Sequence, residues 1–157
     1  MRTVSIIKLI FCSVIFFTTT VQATESVKVT NAWSPEAPSV TKVMAGYMQI
    51  HNNSDKDIKI ISAKSPLFDR VEIHLTKMKN GMMSMIKQKN LNIPAHKIVE
   101  LKPGGLHMML MGRKQEIKSG STIAVTLTFD NGENINVTLN VKEARQEELH
   151  HHHHHHM

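Results

Sequence analysis

Thiol chemistry is almost absent from this chain, whose one cysteine is Cys12. That residue lies in an apolar run near the start, so a chain processed beyond the run would carry no thiol. No disulfide framework is then available, and an exported domain has to be held by its core alone. Thiolate metal centres are excluded on the same ground, including the His2Cys copper centres of electron transfer. Aromatic residues make up only 4% of the chain, and Trp33, Tyr47, Phe68 and Phe129 do not interleave with a basic stripe, which argues against a nucleic-acid surface. Neither paired carboxylates nor a Cys/His or Ser/His/Asp constellation stands out, so no enzyme is expected. The chain has no internal repeat, and no stretch reads as a long amphipathic helix.

The first segment reads as an export signal. Arg2 and Lys8 precede the apolar run Leu9 to Phe17, and Val21-Gln22-Ala23 offers a small-residue exit. Lys8 and Thr18-Thr19-Thr20 leave the run short of a membrane span, so no stable membrane insertion is expected. Cys12 also lacks the small residues that would precede a lipid-anchored cysteine. Without Arg2 and Lys8, 17 basic residues stand against 13 acidic ones, a net charge near +4 with histidine neutral. Lys56, Lys59, Lys64 and Lys77 are scattered, as on a solvated face, and give only weak grounds for an acidic partner.

The expected division is a signal at 1–23, one β domain at 24–142 and a tail at 143–157. The tail holds seven consecutive histidines, His150 to His156, before Met157. They are either a purification tag or a natural imidazole cluster suited to Cu(II), nickel or zinc. The presence of the signal and the final methionine favour a natural tail.

Between these ends the pattern is strand after strand. Val27 and Val29 alternate toward Asn31, Tyr47 to His51 ends at Asn52-Asn53-Ser54-Asp55, and Ile58 to Ile61 and Val71-Ile73-Leu75 follow. Ile98 to Leu101 stops at Pro103-Gly104-Gly105, and Leu106 to Met111 stops at Gly112. Ile123, Val125, Leu127 and Phe129 run to Asp130-Asn131-Gly132, and Ile135, Val137, Leu139 and Val141 return as a hairpin. About eight or nine short strands predict an all-β sandwich or barrel.

What is abundant is methionine. Every methionine other than Met1 and Met157 falls between Met44 and Met111. Each one alone would be core filler, and each histidine alone a hydrogen-bonded or surface residue. The spacing sets four of them apart: His74, ten residues, Met85, twenty-one residues, then His107-x-Met109. Thioethers are poor ligands for hard cations and good ones for monovalent copper, so two imidazoles with two thioethers point to Cu(I). If Asn80-Gly81 forms a two-residue turn, Thr76 faces Met85 and His74 faces Lys87, which makes His74 and Met85 diagonal neighbours. His107 and Met109 share one strand face, and Leu106, Met108 and Leu110 take the other. Met83 and Met111 fall on the ligand-bearing faces and could serve as reserve thioethers, but are expected to pack or line the rim. Met78 and Met82 are expected to be exposed beside the turn, Met44 and Met48 to be core or rim, and His96 to be solvated in a loop. His51 falls outside the four-residue spacing.

This spacing resembles the PCuAC family of periplasmic copper chaperones. The likeness extends to Ala32-Trp33, Tyr47-Met48, Glu72-Ile73-His74, Pro94-Ala95 and Pro103-Gly104-Gly105-Leu106-His107-Met108-Met109-Leu110-Met111-Gly112, and covers roughly Val27 to Val141. It implies a cupredoxin-like Greek-key β-sandwich with His74, Met85, His107 and Met109 as copper ligands, and Trp33 and Tyr47 as packing anchors. It also implies a periplasmic role in delivering Cu(I) toward the CuA centre of cytochrome c oxidase. The implied partners are the CuA domain of subunit II, a Sco-like thioredoxin-fold protein, or both. A periplasmic copper buffer, or a metal-free binding module with its methionines in the core, would share much of this sequence pattern.

Overall fold

The computed structural model describes residues 26–79 and 81–144. The expected signal at 1–23, Cys12 within it, and the histidine run at 150–156 lie outside the described residues. Among the described residues there are ten strands: β1 (Val27–Pro35), β2 (Val43–Asn52), β3 (Ile58–Lys64), β4 (Phe68–Lys79), β5 (Met82–Gln88), β6 (Leu91–Ile93), β7 (Ile98–Leu101), β8 (Leu106–Arg113), β9 (Thr122–Phe129) and β10 (Asn134–Lys142). The all-β fold agrees with the alternation in the sequence. The strand count is one or two higher than expected because β6 has only three residues, too few for alternation to show. β2 also begins four residues ahead of Tyr47, through Val43-Met44-Ala45-Gly46, and β4 begins three ahead of Val71.

The strands follow one hydrogen-bonded path, β5-β4-β8-β2-β1-β10-β9-β3-β6, with β7 also pairing to β2. β2 is the corner of this path. Its first half, Val43 to Gly46, pairs with β8, whereas Met48 to His51 pair with β7. Along its other edge β2 pairs with β1, which runs parallel to β10 from Trp33 to Pro35. One strand thus belongs to two sheets, and the sheets close over a shared core as a cupredoxin-like β-sandwich.

That core follows from the two-residue period. Met44, Met48 and Ile50 from β2, Met108 and Leu110 from β8, and alternate residues of β9 and β10 are all buried. In the β9–β10 hairpin Ile123 opposes Leu139, Val125 opposes Val137 and Leu127 opposes Ile135, and Gly132 supplies the positive φ of its turn. Burial of branched side chains at about 25 cal/mol per Å² of apolar surface is the main term available to a domain without disulfides. Trp33 and Tyr47 pack as the sequence suggests, their rings 4.8 Å apart and tilted by 49°.

Arg113, at the end of β8, is a buried charge that sequence patterning does not single out. It donates to the carbonyls of Ala37, Pro38 and Ser39 at 3.4, 2.9 and 2.7 Å, tying down the connection between β1 and β2. These charge-assisted bonds offset its desolvation.

Candidate metal centre

β4, β5 and β8 lie side by side, and their registers bring together the four residues that the spacing set apart. On the β4–β5 hairpin Thr76 opposes Met85, His74 opposes Lys87 and Met78 opposes Met83. Gly81 has φ 74°, and Asn80 lies outside the described residues. On the other side of β4, His74 lies directly opposite His107, Leu75 opposite Leu106 and Glu72 opposite Met109. The His74 and His107 rings are 6.1 Å apart between centroids. Met85 and Met109 therefore flank this pair diagonally, from β5 and β8 respectively, within reach of long side chains.

Beside the site the opposite faces of β4 and β8 are apolar. Ile73, Met108 and Leu110 are buried in the core, with Val71 and Leu106 packed against it. This division of faces is what lets a strand so close to the core present polar and sulfur-bearing side chains outward.

Hydrogen bonds orient both imidazoles. His107 Nδ1 lies 3.1 Å from the Gly105 carbonyl, which also accepts the Thr76 N–H at 3.1 Å. A carbonyl can only accept, so Nδ1 carries the proton in the neutral ring and Nε2 keeps its lone pair. His74 Nε2 lies 2.9 Å from Glu72 Oε2, and the same argument places its proton on Nε2. Its Nδ1 is then the free nitrogen, and that atom is buried without a hydrogen-bond partner. A buried nitrogen lone pair left unsatisfied is costly unless a ligand occupies it.

Glu72 is itself held by Lys87, whose Nζ donates to Oε1 at 2.7 Å. The Lys87 bond, with a further contribution from His74, keeps the Glu72 carboxyl below the usual carboxylate range. The result is a Lys87–Glu72–His74 chain, in which a carboxylate fixes the tautomer and orientation of a candidate ligand. Sequence reasoning missed the role of this chain. The signal was present, because residues two apart in a strand share a face and the hairpin register sets Lys87 across from His74.

Met85, His107 and Met109 line one shallow depression of about 350 Å³ together with Met83, Thr76 and Tyr47, and His74 is set back from it. Burial pushes the Tyr47 phenol upward, favouring a neutral hydroxyl beside the depression. Met85 is 55% exposed, and Met109 is half-buried. Met44 and Met48 are core; Met78, Met82 and Met83 are exposed. His51 bonds Thr30 at 2.9 Å, and His96 is solvated against Asp55. Among the described residues no group of three or more His, Cys, Asp or Glu side chains is placed to hold a metal ion. Two imidazoles and two neutral thioethers instead form a donor set suited to a soft monovalent cation, which the orphaned His74 Nδ1 also fits.

The chain is similar to known proteins in sequence and in fold. The family described as "Putative lipoprotein LpqE-like" matches residues 27–141. Lxx21020 of Leifsonia xyli subsp. xyli, a relative with the same kind of description, is 33% identical over 120 residues, 76% of this chain and 71% of its own. Among solved structures, Cu(I)-bound DR1885 from Deinococcus radiodurans is 33% identical, with a TM-score of 0.63 over 80% of this chain and 83% of its own. A copper-bound PCuAC domain from PmoF2 has a TM-score of 0.66 over 78% of this chain and 97% of its own; at 20% identity that is a likeness of fold.

Proposed function

Because the chain belongs to the LpqE-like family and has the fold of PCuAC domains, we propose that it is an exported Cu(I) carrier that delivers the metal to the CuA centre of cytochrome c oxidase. The observation that carries this reading is the facing pair His74 and His107 with Met85 and Met109 diagonal to it, each imidazole held through the nitrogen that would not bind. Neutral thioethers stabilise Cu(I) without adding charge, and the imidazoles raise affinity above that of sulfur alone.

The same donor set favours delivery. With no thiolate among its ligands, the site yields to a partner that presents cysteines, and transfer runs downhill by ligand exchange as the surfaces meet. The proposed acceptor is the cysteine-bearing CuA domain of subunit II, with a Sco-like thioredoxin-fold protein able to stand between the two. The copper stays monovalent throughout, so the protein moves a cation and performs no redox step.

The experiment mixes the Cu(I)-loaded protein with an apo CuA-domain fragment and follows which protein holds the metal. Transfer to the fragment, together with lowered oxidase activity in a copper-limited deletion strain that added copper restores, is the expected outcome. Copper that stays bound, with oxidase metalation normal in the deletion strain, would make this protein a periplasmic copper buffer.

A further inference from the structure

Among the described residues, Met78, Met82, Met83, Met85 and Ile86 of the β4–β5 hairpin make up the largest group of exposed large apolar side chains. Met78 is 66% exposed and Met83 65% exposed, on the outward face of these strands, where polar residues are the ordinary occupants. β5 is the end strand of the sheet path. Exposed apolar residues on an edge strand carry an aggregation risk that proteins ordinarily blunt with charge.

The positions of these two methionines are specific. Met78 and Met83 are direct cross-strand partners, so their side chains leave the same face about 5 Å apart at Cβ. It is the face that carries Thr76 and Met85 one step down the hairpin and His74 one step further. Each two-residue step advances about 7 Å, a gap that the long, flexible thioether side chain can cover. Met83 also lines the same depression as Met85, His107 and Met109.

We propose that Met78 and Met83 form a second, weaker soft-metal site, a two-thioether landing point from which Cu(I) passes to the four-residue centre. This rests on the Cu(I)-carrier reading above. Two neutral sulfurs without an imidazole hold Cu(I) less tightly than the mixed centre, so the gradient runs inward. In each step one copper–sulfur bond at the tip breaks as a bond to Met85 sulfur or a histidine nitrogen forms. The copper remains Cu(I), and no proton or electron is transferred to it. The pair acts on the rate of loading and unloading and leaves the affinity of the inner centre alone.

The test uses the full chain labelled at its methionine methyl groups, with Ag(I) as a redox-inert probe in NMR and a Cu(I)–chelator complex as donor in stopped flow. In the wild type the Met85 and Met109 methyls are expected to respond first, and those of Met78 and Met83 to shift in fast exchange beyond one equivalent. The double variant M78L/M83L removes both sulfurs and keeps the apolar surface. It is expected to retain the tight affinity and to load roughly tenfold more slowly, as expected for loss of a locally concentrated donor. Silent tip methyls under excess Ag(I), or unchanged loading in M78L/M83L, would overturn the landing site while leaving the inner centre intact. Failure of Met85 and Met109 to respond in the wild type would overturn the carrier reading as well.

Discussion

The two hairpins β4–β5 and β9–β10 use the same two-residue alternation to opposite ends. In β9–β10 the apolar set Ile123, Val125, Leu127, Val137 and Leu139 is buried, and polar residues such as Thr126 and Asn136 pair on the outside at 2.8 Å. In β4–β5, Ile73 on the inward face is core, but the outward face carries thioethers and His74. Burial explains the first hairpin completely. It leaves the second with exposed methionines that packing does not require, and the proposed Cu(I) chemistry accounts for those on the His74 face.

The contrast is sharpest when each hairpin loses one side chain. Leu127→Ala should cost about 2–5 kcal/mol of stability by leaving a cavity in a close-packed core, measured by chemical unfolding, without changing the ligand set. Met85→Ala should alter stability by no more than about 0.5 kcal/mol because the residue is mostly exposed. It should nevertheless weaken Cu(I) in a chelator competition. A large stability loss in Met85→Ala, with metal binding intact, would return that methionine to a structural role and erase the contrast.

Glu72→Gln keeps the shape of the Lys87–Glu72–His74 chain and removes its charge. Loss of such an outer partner typically lowers metal affinity by roughly 10- to 100-fold, and competition titration is the check. An unchanged affinity would separate Glu72 from the metal centre.

The smallest expected effect is on acid stability. The Glu72 pKa is lowered in the folded chain, chiefly by the hydrogen bond from Lys87. Its contribution to stability is therefore present above the ordinary carboxylate range and lost as pH falls through the lowered value. Lys87→Met should move the Glu72 titration back upward in a carboxyl NMR titration and shrink that acid limb. A Glu72 titration that stays low in Lys87→Met would show that another group holds it.

Much of the β4–β5 and β9–β10 architecture is legible in the sequence. The β9–β10 hairpin can be read from alternation around Asp130-Asn131-Gly132, and the β4–β5 register from a two-residue turn, because turn length dictates pairing. The H-x-M step places His107 and Met109 on one face by the same two-residue period. Alternation carries no information about which distant strands become neighbours, so the placement of β8 beside β4, with His107 facing His74, comes only from the fold. Strand β6 is too short to register, and the extension of β2 through Val43 to Gly46 is hidden because an Ala and a Gly blur the pattern. Arg113 escapes a reading of the sequence because a charge defaults to solvent there, and only tertiary contacts reveal the carbonyls that allow it inward, whereas the Lys87–Glu72–His74 chain follows from strand parity and the hairpin register.

The most direct test of the central claim is X-ray absorption on the protein loaded with one equivalent of Cu(I), read with a chelator competition on the wild type and Met109→Ala. Mixed sulfur and nitrogen scattering from one tight equivalent, with sulfur scattering reduced and affinity lowered in the variant, is the predicted result. Nitrogen-only scattering, unchanged in Met109→Ala, would place the metal on imidazoles elsewhere in the chain and contradict the histidine–methionine centre.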